Sequence, residues 1–418
     1  MSEVYITGAY NSKFGAFTKR DKETKQIIDK GPTIYDLIIE AGKGALEDSG
    51  LSPKDIDAIY VAAFSSGPFV KQEHLGPIAL YIHPDLRFVP TMRFEAACAS
   101  SSAAVHAAVH AIESGRYKNI LVIGAEKMTE RTTPETTEIL AYASYFETEG
   151  SKGMTFPALF AEYAKGYKAH YKISDDVLRK MFATVSALCY RNAMDNPLAQ
   201  MGKGSVAEKL GITTAEAILA LDDKSNPVIA DPLRLHDCSL ISDGSAAIVL
   251  SNKKVAKSAK KAVQIAGIGN ATEIMEEKKR PQMYMLEAGK IAAKRAYEEA
   301  KIKPKDIDLA EVHDCFAINH ILTTEALGLS EDGKAGYDYM EGRFTRDDKV
   351  AVNISGGLKA KGHPVGATGA SMHALIFKQL VDEPIGATLT KKKPEVGVTF
   401  NVGGSAVSNF ITVLKRVK

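Results

Sequence analysis

A chain of 418 residues with 45% hydrophobic and 25% charged residues has the make-up of an ordinary globular protein, long enough for two or three cores. Its formal net charge of +2 gives no electrostatic basis for nucleic-acid binding, and it lacks the run of about 18 apolar residues that a membrane-spanning helix needs. Four scattered cysteines, Cys98, Cys189, Cys238 and Cys315, form no Cys-x-x-Cys pair, which argues against a disulfide framework and against a zinc site within this chain.

The first residues run straight into a β-branched segment, Val4-Tyr5-Ile6-Thr7-Gly8, without the basic and then apolar stretch of a secretion signal. The last four, Lys415-Arg416-Val417-Lys418, are not a Ser-Lys-Leu address. The expected compartment is cytoplasmic. After the first strand, an alanine-rich amphipathic helix over 41–50 stops at Ser52-Pro53, because the residue before proline disfavours helix. Ala58–Ala63 reads as a buried strand. A second apolar run, Phe88–Met92, leads to Glu95-Ala96-Ala97-Cys98-Ala99-Ser100 and then to an alanine-rich helix. Cys98 therefore falls at a strand-to-helix elbow, where a helix N-terminus favours a thiolate. Position alone leaves a packed core thiol and a reactive one both open. His106 and His110, four apart on that helix, read as packing or surface residues.

Residues 128–235 are rich in Tyr, Met, Ala and charged helix formers and have no counterpart later in the chain. His236-Asp237-Cys238-Ser239 and Ser242-Asp243-Gly244 follow, and 251–261 reads as a lysine-rich connection. Its lysines, with those at 391–393, are either solvated faces or a basic rim for the phosphates of an anionic ligand. The chain then starts again. Residues 292–308 match 41–57 without a gap at nine of seventeen positions, including Pro-Lys-Asp-Ile-Asp at 53–57 and 304–308. Val263-Gln264-Ile265-Ala266-Gly267 echoes the first strand. Strand, helix and strand at this spacing form an α/β crossover unit, present twice. The expected division is a first half of 1–127 and 236–252, an inserted domain of 128–235, and a second half of 260–418, with a site where the halves meet.

The second half carries three further motifs. At the end of its repeated strand stands His313-Asp314-Cys315-Phe316. The spacing is poor for zinc, and acid/base work by His313 or Cys315 stands beside a buried strand end. Gly356-Gly357-Leu358-Lys359-Ala360-Lys361-Gly362-His363-Pro364 holds a histidine in a glycine-dense loop suited to close ligand approach. Asn401-Val402-Gly403-Gly404 ends the strand begun at Val396, where paired glycines either turn the chain or present amides to an oxyanion.

In this order, the duplicated halves, the insertion, the Cys-x-Ser elbow, the Gly-His-Pro loop and the Gly-Gly turn resemble the thiolase superfamily over essentially the whole chain. His313-Asp314-Cys315-Phe316 stands where most thiolases have Asn-Glu-Ala-Phe, and Asn401 where they have cysteine. This pattern is similar to the sterol-carrier-protein-2-type branch and its bacterial and archaeal relatives. The resemblance implies an α/β thiolase fold in α-β-α-β-α layers with an inserted loop domain. It also implies coenzyme A as cosubstrate, no metal in this chain, and a homodimer or tetramer. A separate small zinc-ribbon/OB-fold partner protein is a further implication. It makes Cys98 the acylated nucleophile, His363 its activating base and Cys315 the acid/base on the α-carbon and the incoming thiol. His313 would hold the thioester oxygen, and the amides of Cys98 and Gly403 the oxyanion. Ser239 would contact the pantetheine arm. The implied reaction is thiolysis of a 3-oxoacyl-CoA or the reverse Claisen condensation. The rivals are a condensation-only synthase of the same superfamily and a non-catalytic acyl-CoA-binding scaffold.

Overall fold

The computed structural model describes residues 3–417; Met1, Ser2 and Lys418, at the outer ends of the two expected halves, lie outside the described residues. The first half supplies β1 (Val4–Asn11), α1 (Ile34–Ser49), β2 (Ala58–Ala62), β3 (Thr91–Phe94), α2 (Ser100–Glu113) and β4 (Asn119–Glu126). The insertion contributes α3 (Thr133–Ala141), α4 (Phe156–His170) and α5 (Asp175–Ala193) before the chain returns as β5 (Gly244–Asn252). The second half supplies β6 (Val263–Thr272), α6 (Glu287–Ala300), β7 (Leu309–Val312) and α7 (Ala317–Ala326). It ends with β8 (Ala351–Val352), α8 (Thr368–Leu380), β9 (Val396–Gly403) and β10 (Ser408–Arg416). The expected connection holds a short helix, Lys253–Ser258.

The main sheet has ten strands in the order β8-β7-β9-β10-β6-β1-β5-β4-β2-β3. Read outward from the centre, each half repeats one pattern. β1-β5-β4 and β6-β10-β9 are antiparallel, and β4-β2-β3 and β9-β7-β8 are parallel. The halves join where β1 pairs antiparallel with β6, Val4 opposite Ile265. Alternation along the strands then sorts the layers. Ala58, Tyr60 and Ala62 of β2 pack with α2, α8 and residues of the second half. Ile59 and Val61 pack on α1. Val398, Phe400 and Val402 of β9 pack on α6 and α7. Helix α1, a half-sheet, the pair α2 and α8, the other half-sheet, and α6 with α7 make the α-β-α-β-α stack of the thiolase fold.

The repeated residues have physical uses. Gly8 and Gly267 sit at matching irregularities of β1 and β6. A Cβ on Gly8 would lie 2.5 Å from the Ser49 amide nitrogen, and one on Gly267 2.4 Å from the Ala296 carbonyl, so only glycine lets each helix backbone rest on its strand. The last aspartate of each Pro-Lys-Asp-Ile-Asp accepts two amides at the start of the neighbouring parallel strand. Asp57 takes Lys118 and Asn119 at 2.6 and 2.9 Å, and Asp308 takes Glu395 and Val396 at 2.7 and 2.9 Å.

The insertion does not stay on the half that contains it. Phe160 and Tyr167 of α4 and Phe182 of α5 share one core with Ile318 and Ile321 of α7, which lays these helices over the second half. Its root is fastened by a fully buried pair, Lys127 Nζ to Asp243 Oδ2 at 2.7 Å. Asp243 also accepts the amides of Met128 and Thr129 at 2.7 and 2.9 Å. Asp243→Ala leaves the Lys127 charge buried and unpaired, which costs about 3–5 kcal/mol. Urea unfolding should show a loss of that size, and a loss below about 1 kcal/mol would remove the anchor role. Of the histidine pair on α2, His106 is buried against Thr412 at 3.1 Å, and His110 faces solvent beside Glu113.

Candidate active site

The fold brings four distant segments to the junction of the halves. Cys98 lies in a 3-10 turn, Ala97–Ala99, that runs into α2; the preceding Ala97 has φ +51°, a left-handed elbow that turns the chain from β3 into the helix. His363 comes from the glycine loop, where Gly362 has φ +122° and the His363 amide donates to Ser242 Oγ at 2.9 Å. His313 and Cys315 follow β7. Cys98 Sγ, a ring nitrogen of His313 and one of His363 all lie within 4.8 Å of one another, and the two imidazoles meet edge to face at 5.1 Å.

A cavity of about 250 Å³ opens on this cluster. Cys98, Cys315, His363 and Gly404 line it, together with Cys238, Ser239 and Phe316. Ser239 is held there by its amide, which donates to the Cys315 carbonyl at 2.8 Å. The insertion closes the rest with Met128, Leu140, Phe156 and Phe160. The cavity thus joins the Cys98 turn, the His363 loop and the thiols of Cys238 and Cys315 inside a mostly apolar wall.

The Gly404 amide reaches the Cys98 sulfur, next to the expected oxyanion donor Gly403. Gly403 closes β9, and a Cβ there would lie 2.2 Å from the Ala96 carbonyl. One expectation needs correction: the helix terminus does not win the competition over the thiol. Burial pushes Cys98 up to about 12, against the pull of the Gly404 and Cys98 amides, so the free enzyme holds a thiol. Cys315 is raised well above its ordinary value by burial and then by Cys98 beside it.

Burial also pushes His363 down to about 3, with Lys361 adding to the shift, so it is neutral and able to accept a proton. Its hydrogen bonds fix which nitrogen does so. The Thr368 hydroxyl donates to the Pro364 carbonyl at 3.1 Å and so receives the His363 Nδ1 proton at 2.7 Å. Nε2 is left with the lone pair. Glu126 accepts the amides of Phe64, Ser65 and Gly366 at 2.7, 3.3 and 2.9 Å, tying the segments after β2 and before α8 to the end of β4. Burial lifts its carboxyl to about 7. Sequence reasoning missed Glu126 and Thr368, since neither carries a local motif.

Cys189, Asp314 and His320 form a second buried cluster behind the cavity. Asp314 accepts the amides of Leu358 and Lys359 at 2.7 and 3.2 Å and the Cys189 thiol at 3.3 Å, which pins the loop that carries His363. The earlier string divides as well: Asp237 pairs with Arg179 at 2.8 Å and His236 with Tyr190 at 2.8 Å.

Residues 4–254 match the family description "Thiolase, N-terminal domain", and 269–416 match "Thiolase C-terminal domain-like". An acetyl-CoA acetyltransferase of Methanothermobacter thermautotrophicus is 36% identical over 417 residues, covering all of both chains. Rabbit sterol carrier protein 2 is 28% identical over 97% of this chain and 71% of its own. Among solved structures, an Ltp2-ChsH2(DUF35) aldolase superposes with TM-score 0.77 at 18% identity, covering 99% and 98%. Human mitochondrial 3-ketoacyl-CoA thiolase in complex with CoA gives 0.69 at 18%, covering 100% and 98%. With both family domains matched in order and a full-length relative above a third identical, the chain belongs to the thiolase family.

Proposed function

We propose that this protein is a CoA-dependent acyltransferase that cleaves a 3-oxoacyl-CoA by thiolysis, or runs the reverse Claisen condensation, through an acyl-Cys98 intermediate. The observation that carries this reading is the convergence of Cys98, His313 and His363 within 4.8 Å, with Cys98, His363 and Cys315 all lining one cavity. A binding scaffold has no use for two thiols and two neutral imidazoles at one point.

The mechanism follows from the protonation states. Cys98 Sγ attacks the C3 carbonyl, and its proton passes to His363 Nε2. The amides of Cys98 and Gly403 hold the oxyanion. The C2–C3 bond breaks towards C2, His313 Nε2–H holds the enolate oxygen, and the Cys315 thiol protonates C2, releasing acetyl-CoA or a homologue and leaving the shortened acyl group on Cys98. Free coenzyme A then gives its thiol proton to the Cys315 thiolate and attacks the acyl group. Cys98 leaves and recovers its proton from His363. Ser239, on the cavity wall, contacts the pantetheine arm, and the 128–235 insertion shapes the acyl pocket. No step calls for a metal.

Intact-protein mass spectrometry after mixing with acetoacetyl-CoA and with longer, branched and aryl 3-oxoacyl-CoAs tests the reading. An acyl adduct mapped to Cys98 is expected, and its mass names the substrate class. No adduct from any of them, with any natural partner present, would leave the scaffold reading standing.

The assembly is part of the same proposal. β3 is an edge strand, and it exposes Met92 near Phe88; an unpaired apolar edge favours pairing with a second copy. A homodimer is expected by light scattering, with a tetramer as a pair of such dimers, and a monomer would reject it. The DUF35 component of the Ltp2-ChsH2(DUF35) aldolase supports a separate zinc-ribbon/OB-fold partner for this chain, which zinc analysis of the natively purified protein would detect. The proposed compartment is the cytoplasm; none of the described helices is long and apolar enough to cross a membrane.

A further inference from the structure

We propose that Asn401 is a positioning residue that sets the tautomer of His313 and couples it to the backbone of the nucleophile, an assignment that rests on the thiolase reading above. Asn401 is fully buried on β9. Its Nδ2 donates to the Cys98 carbonyl at 3.1 Å and to His313 Nδ1 at 3.0 Å, and its Oδ1 accepts the Ser102 hydroxyl at 2.8 Å. A backbone carbonyl only accepts, so the end of the amide facing Cys98 must be the NH₂. The same NH₂ faces His313, so Nδ1 of that ring must accept. The His313 proton therefore sits on Nε2. Burial holds the ring well below its ordinary pKa, with His363 adding to the shift, so it carries that one proton and no charge.

His313 Nε2 is buried and has no hydrogen-bond partner among the described residues. An N–H left unpaired in a dry site costs free energy unless a ligand completes it. The ring lies beside Cys98 and His363, within reach of a thioester or enolate oxygen bound at Cys98. In the other tautomer, a lone pair would face that oxygen and repel it. Asn401 thus turns a histidine that could present either face into one that can only donate. It links the turn of the first half that carries the nucleophile to the strand end of the second half that carries the donor.

The packing around the amide supports a dedicated role. A Cβ on Gly369, in the first turn of α8, would lie 2.3 Å from Ser102 Oγ and 2.6 Å from Asn401 Oδ1. The glycine leaves room for the Ser102–Asn401 bond between α2, α8 and β9. Both polar ends of Asn401 are satisfied, which fixes the amide orientation without help from substrate.

Asn401→Asp keeps the shape and removes the donor. The new carboxylate attracts the His313 proton to Nδ1 and raises the ring's pKa. At low pH the imidazolium form still offers Nε2–H; as pH rises through the raised pKa, Nε2 becomes a bare acceptor. The expected result is a kcat lower by about 10²–10³, the usual scale for one oxyanion donor, with KM changed far less. Activity should recover towards acid pH, unlike the wild type. A structural role alone would give a pH-independent loss. Nitrogen-15 NMR of histidine-labelled wild-type enzyme, with His313→Asn to assign the signal, reads the tautomer without substrate. An Nε2–H ring supports the proposal. An Nδ1–H ring, or an Asn401→Asp enzyme with wild-type kcat, overturns it. Because the NMR result needs no turnover, it stands apart from the acyl-adduct experiment, whose failure would instead remove the thiolase reading.

Discussion

Cys98→Ser is expected to abolish the acyl adduct and to reduce thiolysis by about 10⁶-fold, the scale on which removal of a catalytic nucleophile acts elsewhere. At about 1.4 kcal/mol per factor of ten, this is roughly 8 kcal/mol of lost transition-state stabilisation. Serine fits the space of the thiol, so the cavity and the Asn401 contact to the residue-98 carbonyl persist, and CoA binding should survive. The alcohol is far less acidic than the thiol, and a neutral His363 cannot draw its proton off. The structure adds a pH signature. Because burial lifts Cys98 to about 12, iodoacetamide should alkylate the free enzyme about tenfold faster per pH unit from 7 to 10. An unperturbed thiol would level off near about 8.5. His363, pushed down to about 3, contributes no step in that range. A plateau below pH 8 would show a thiolate already present in the free enzyme and would discard the proton transfer to His363 during attack.

Cys315→Ala is expected to separate the two halves of the reaction. Acyl transfer from acetyl-CoA to Cys98 expels a thiolate, a good leaving group, and can proceed slowly without Cys315. Removing or adding a proton at the α-carbon cannot, because that step needs a base close to the carbon. The variant should form the acetyl adduct but lose turnover in both directions by about 10²–10⁴, the range for one general acid/base. Solvent deuterium should then stop entering the methyl group of acetyl-CoA, although the adduct is present. Exchange at the wild-type rate would reassign the α-carbon proton, and Cys238, which lines the same cavity, would be the next thiol to change.

Much of this was legible in the chain because it is local. The strands, helices and stops follow from periodicity, glycine and proline. The repeat was visible because both copies solve one mechanical problem. Gly8 and Gly267 let a helix rest on a strand, and Asp57 and Asp308 cap the start of the next strand. Cys98, His313, Cys315 and His363 each sit at an element boundary, Cys98 between alanines and His363 after a glycine, which is where a sequence can announce chemistry.

Only the tertiary structure decided three other things. It placed α4 and α5 over the second half, because their apolar faces match α7 rather than the half that encloses them in sequence. It reversed the expected state of Cys98, because desolvation depends on everything packed around a thiol, whereas the helix terminus is all the sequence shows. And it gave Asn401 its contacts to the Cys98 carbonyl and His313. A hydrogen bond between residues about 300 positions apart leaves no local trace. Sequence set which residues could react; the fold set which proton each of them carries.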